Sequence, residues 1–154
     1  MMAVISDKVL QSNVSMEKEI AILQRIQDRL LWLSMQVIHH ANYGRPNPEK
    51  MKVGGHPASC ASAVSILTAL YFSFMKASDR IAVKPHASPV LHAAMYLLGA
   101  LPRESLMTLR AYGGLQAYPS RTKDVDIAVG SRLEMFPLPS RERAMRRNDR
   151  QTQL

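Results

Sequence analysis

The sequence predicts a predominantly helical α/β domain, and three observations carry that reading. Apolar residues recur at spacings of three and four over residues 20–37, and further helix-length runs follow at 58–75 and 90–98. Between these two runs stands one short β-like piece, Ile81-Ala82-Val83. Each run is preceded by a histidine-bearing turn, first Gly54-Gly55-His56-Pro57-Ala58-Ser59 and then Lys84-Pro85-His86-Ala87-Ser88-Pro89. A corner between loop and helix leaves backbone N–H groups free, so two such corners could face one phosphorylated ligand.

A chain of 154 residues, 47% apolar and 21% charged, suits one domain with a core rather than two domains or a disordered polymer. The single cysteine, Cys60, excludes an internal disulfide and fits a reducing, cytoplasmic setting. The first residues show no basic region followed by an apolar one, so no secretory signal is expected. Residues 53–75 lack Asp, Glu, Lys and Arg, which raises the membrane question. Two glycines, a proline and five hydroxyl side chains dilute that stretch, so it reads as a buried helix with no membrane partner.

The formal charge is +8, but it is not gathered for nucleic acid. Residues 131–154 contribute six arginines against three acidic residues, and the other 14 basic and nine acidic residues are spread through 1–130. No aromatic residues interleave with the basic ones, and no nucleic-acid-binding motif stands out.

In chain order, residues 1–14 read as a loose lead-in. Ser15 is placed to cap a helix, with Glu17 and Glu19 suited to its first turn. Ile20, Leu23, Ile26, Leu30, Leu33 and Val37 define its inner face, and Leu31, Trp32, Met35 and Ile38 widen that face. Gly44, Pro46 and Pro48 stop the helix near Asn42, and 42–52 forms a polar loop. Pro57 fits the first position of the next helix, whose small residues allow close approach and whose bulky end, from Leu70 to Met75, suits a core. Ile81-Ala82-Val83 is a strand candidate, buried on both faces if parallel. Gly99 closes the helix over 90–98, Pro102 opens a short one reaching about Arg110, and 113–120 is an irregular loop. From Ser131 the character changes, and 132–154 reads as a basic tail, disordered or foreign to the domain spanning 15–131.

The two histidine turns, with the loop from Leu109 through Gly113-Gly114-Leu115-Gln116-Ala117-Tyr118-Pro119-Ser120 and with Asp126-Ile127-Ala128-Val129-Gly130-Ser131, resemble the thiamine-diphosphate enzymes of the transketolase superfamily. The likeness extends over roughly residues 30–131. It is nearest to the homodimeric pyruvate dehydrogenase decarboxylating subunit and its transketolase-like relatives. The resemblance implies part of a three-layer thiamine-diphosphate-binding α/β fold, acting on a 2-oxo acid or a ketose as a homodimer when complete.

By that resemblance His56 orients substrate or moves a proton beside the thiazolium, and His86 faces the diphosphate. Ser59, Lys84 and Tyr118 inherit cofactor contacts. Magnesium is implied too, yet the sequence lacks the family's Gly-Asp-Gly turn, and Arg132-Leu133-Glu134-Met135 stands where further glycines are expected. An N-terminal fragment, inactive alone, is the resulting expectation.

Without the family, His56 and His86 fit hydrogen-bonded turn roles as well as functional ones. His92 lies in an apolar helix and reads as a core or interface histidine, while His39 and His40 suit the negative end of a helix. One cysteine and irregular spacing argue against zinc on His56, Cys60 and His86, and Cys60 reads as inert packing. No nucleophile elbow supports a Ser–His hydrolase. The alternative to an enzyme fragment is a helical module that binds a protein partner through apolar faces.

Overall fold

The computed structural model describes residues 2–46, 48–76, 79, 81–120 and 123, with side chains described from Val14 onward. Among these, the helices are α1 (Met2–His39), α2 (Pro57–Ala69), α3 (Ser88–Leu98) and α4 (Arg103–Leu106). Wider π turns, His40–Gly44 and Leu70–Phe74, extend α1 and α2, and the 3-10 turn Pro85–Ala87 leads into α3.

α3 is the centre of the packing. All of its residues from Ser88 to Leu98 are buried, as an apolar helix without a polar stripe must be. α1 and α2 both pack against it and against each other. They run antiparallel: Ser73 beyond the end of α2 donates to Glu19 in α1, 3.2 Å away, while Asn42 at the other end of α1 bonds Gly54 just before α2.

The inner face of α1 is Ile26, Leu30, Leu33, Val37 and Ile38, continued by Ala41. Ile20 is exposed, because at about 100° per residue it lies well off the face defined by Ile26, Leu30, Leu33 and Val37, although α1 is still covered at this level, where Glu19 meets Ser73. Trp32 does not join the core; it stands half exposed beneath the guanidinium of Arg29, 4.5 Å from its ring centre. The helix begins at Met2, so Ser15 lies inside it instead of capping it. Two buried hydroxyls are satisfied within their own helices, Ser34 donating to the Leu30 carbonyl at 2.6 Å and Thr68 to that of Val64 at 2.7 Å.

Pro57 opens α2 as its position predicts. Cys60, Val64, Leu67, Thr68, Tyr71 and Phe72 turn inward, while Ile66 and Phe74 point outward. The 18 residues Pro57–Phe74 are long and apolar enough to cross a membrane by length and composition, although this segment packs on α1 and α3 here.

Gly99 ends α3 in the left-handed region at φ 87°, with Gly99 N–H bonded to the Tyr96 carbonyl and Ala100 N–H to that of Met95. This Schellman pattern needs a residue without a Cβ at that point. Pro102 precedes α4, as its place in the sequence indicates, but the helix is shorter than expected and gives way to turns after Leu106.

The strand expected at Ile81-Ala82-Val83 is not formed. Among the described residues there is no strand at all, and Ile81 and Ala82 are exposed. A lone extended segment has no neighbour with which to complete a hydrogen-bond ladder. The three-layer α/β architecture is therefore not shown, and the described part is helical. The approach to a glycine-rich turn at 126–131 and the basic tail at 132–154 lie outside the described residues.

Leu30 is fully buried, so Leu30→Ala is expected to cost about 2–5 kcal/mol of stability. Ile20→Ala, on the exposed face of α1, should stay within about 0.5 kcal/mol. Urea denaturation of the two variants measures the contrast.

Candidate functional site

The first histidine turn is built on two glycines with positive φ, Gly54 at 86° and Gly55 at 141°. A side chain at Gly55 would collide with Ile38, its Cβ falling 2.7 Å from a terminal methyl of that residue. The turn therefore hugs the end of α1 more closely than any other residue type permits.

Three hydrogen bonds made by Asn42 lock this approach. Its Nδ2 donates to the Gly54 carbonyl at 2.9 Å and to the Ile38 carbonyl at 2.7 Å. Its Oδ1 accepts the Gly54 N–H at 3.0 Å. From the opposite side, the Arg110 guanidinium donates to the Val53 carbonyl. Arg110 itself occupies the left-handed region at φ 58°, held by its N–H on the Leu115 carbonyl at 2.8 Å. Neither Asn42 nor Arg110 stood out in the sequence, because their partners lie 12 and 57 residues away.

His56 follows directly and stands exposed at the start of α2. The second turn brings His86, also exposed, alongside it, with ring centroids 4.0 Å apart and planes tilted by 31°. The two elements are tied below the rings, where Cys60 Sγ donates to the His86 carbonyl at 3.7 Å. The two corners that the sequence places 30 residues apart thus meet at one edge of the molecule.

The other candidates surround this edge to differing degrees. Ser59 is half-buried in the first turn of α2, and its carbonyl accepts a hydrogen bond from Ser62 at 3.0 Å. Lys84 is exposed and extended just ahead of the 3-10 turn. Tyr118 is exposed on the loop that follows α4. That loop is docked on α3 by Ser88 Oγ, which donates to the Ala117 carbonyl at 3.1 Å, and by His92 Nε2, 3.3 Å from the Gln116 carbonyl. Since Ser88 is two residues past His86, the docking brings the chain entering Tyr118 to the second turn. His92 is fully buried, the core histidine that its apolar surroundings indicated.

Electrostatically the edge is positive. Neither α2 nor α3 has an acidic residue in its first turn or a side-chain cap on its first N–H groups. At α3 the Ser88 N–H is already bonded to the Pro85 carbonyl and Pro89 has none, so the start of α2 and the Lys84 ammonium are what favour an anion. Among the described residues no three His, Cys, Asp or Glu side chains converge as a metal site would require.

Cys60 is inert by environment. Burial pushes its thiol from the ordinary 9.0 up to about 11, against a smaller opposing pull from a backbone hydrogen bond at Val90. A shift of that size cuts the thiolate fraction about a hundredfold near pH 8. The folded chain should therefore resist iodoacetamide at that pH and react once unfolded, as mass spectrometry would show. The unfolded chain ionises first, so this group's contribution to stability is full below pH 9.0 and lost as pH rises toward about 11.

No family model and no solved structure matches the chain. Curated relatives do. The chain is 36% identical to transketolase-like protein 2 of Bos taurus over 89 residues, 35% to transketolase of Mus musculus and 34% to transketolase of Homo sapiens. Each match covers 50% of this chain and 14% of the relative's length. Half of this chain is thus similar to a small part of proteins named transketolase.

Proposed function

We propose that the chain supplies the histidine-bearing corner of a thiamine-diphosphate-dependent enzyme of transketolase type. The observation that carries this reading is the meeting of His56 and His86 at 4.0 Å beside the start of α2, which has no side-chain cap. The similarity to transketolases supports a ketose as the substrate of the complete enzyme and a homodimer as its assembly. A 2-oxo acid, as in the pyruvate dehydrogenase subunit, is the alternative within the same chemistry.

The residues present fit the diphosphate end of such a cofactor. His86, Lys84 and the start of α2 would meet its negative charge, with Ser59 and Tyr118 bordering it. When bound, the cofactor supplies the carbanion that adds to a carbonyl carbon. His56 then orients the substrate oxygen or holds its proton, a task suited to an imidazole because its charge changes near neutral pH. The sequence has no Gly-Asp-Gly turn to hold magnesium, and among the described residues no three His, Cys, Asp or Glu side chains converge on a metal position.

A second reading, a non-catalytic module that binds a protein partner, is favoured by the outward-facing Ile66 and Phe74 at the far side of α2.

Nuclear magnetic resonance titration with millimolar thiamine diphosphate separates the two. The enzyme reading expects selective shifts at His56, His86 and the backbone of 57–59 and 86–88, with none from thiamine lacking its phosphates. His86→Ala should weaken the response about tenfold, the loss of one charge-assisted hydrogen bond, whereas His56→Ala should change it less than twofold. Identical titrations with and without the diphosphate would remove the cofactor reading.

A further inference from the structure

We propose that Asn42 is a positioning residue for His56, holding the imidazole against His86 through the Gly54 peptide. The inference rests on reading the histidine pair as one site, although the ring placement it concerns is measurable without any ligand.

The turn before His56 is flexible by composition. Two consecutive glycines precede His56, and glycine backbones have more freedom to lose than any other. Left alone, such a turn would not deliver a ring to one place. Asn42 removes that freedom because a primary amide carries the donor and the acceptor that one peptide group needs. Oδ1 takes the Gly54 N–H at 3.0 Å, and Nδ2 gives to the Gly54 carbonyl at 2.9 Å. The second hydrogen of Nδ2 reaches the Ile38 carbonyl at 2.7 Å, which fixes the amide itself to the end of α1.

The location of Asn42 adds a second, independent mark. It sits inside the π turn His40–Gly44, where the helix widens instead of stopping cleanly. Such widened turns are rare and frequent at functional sites. Here the side chain it carries at Asn42 is the one that grips the turn.

Asn42→Asp is the discriminating change, since it keeps size and acceptor and loses both donors. In the wild-type chain, rings 4.0 Å apart give a cross-relaxation signal between the His56 and His86 imidazole protons. Asn42→Asp and Asn42→Ser are expected to abolish this signal while leaving the His92 ring resonances and the far-ultraviolet circular dichroism unchanged. Leu33→Val, which disturbs the core without touching the turn, should leave the inter-ring signal in place.

Persistence of the signal in both Asn42 variants overturns the proposal. So does loss of the folded spectrum in both, for Asn42 would then support the whole fold and not one ring. The cofactor reading fails separately: an Asn42-dependent ring signal in a chain that ignores thiamine diphosphate leaves this assignment standing.

Discussion

A helix with no face for water is the constraint from which the rest of the architecture follows. Every residue from Ser88 to Leu98 is buried, so α3 has to be covered on all sides and its polar groups paired inside. α1 and α2 supply two of the covers. The loop after α4 supplies another, and it is the polar residues of α3, Ser88 and His92, that bind its carbonyls. Covering α3 with α2 also forces their first turns together, since the Cys60 thiol meets the carbonyl of His86 at that junction. The histidine pair is thus a consequence of how the core closes.

The same closure explains why Cys60 and the two histidines, close in space, behave so differently. Cys60 lies under the junction, fully buried, where desolvation suppresses its ionised form. His56 and His86 lie above it, in contact with solvent. Depth, more than residue type, separates the packed thiol from the accessible rings at this edge.

Much of this was legible in the sequence wherever the information was local. The three-and-four spacing of Ile26, Leu30, Leu33 and Val37, Pro57 at a helix start and Gly99 at a helix end all act within a few residues. Ile81-Ala82-Val83 misled because a three-residue apolar run fixes β structure only when a partner strand lies beside it. Ser15 misled in another way: a good capping residue is also tolerated within a helix, and α1 continues through it. The contacts that shape the candidate site were invisible for a different reason. Asn42 to Gly54 and Arg110 to Val53 join residues far apart in the chain, and no local period records them.

Magnitudes decide what holds the histidine corner in place. A contact between two aromatic rings contributes about 0.5–1.5 kcal/mol, and the thiol of Cys60 is a weak donor. Ordering the backbone of Gly54 and Gly55 costs roughly 2–4 kcal/mol at one to two per residue, and glycine lies toward the upper end. Ring contact alone therefore falls short. The three hydrogen bonds of Asn42, at about 0.5–1.5 kcal/mol each, bring the sum to balance, and the Arg110 guanidinium adds a further constraint on Val53. The imidazoles sit together because the turn beneath one of them is held, and their attraction for each other is the smaller part.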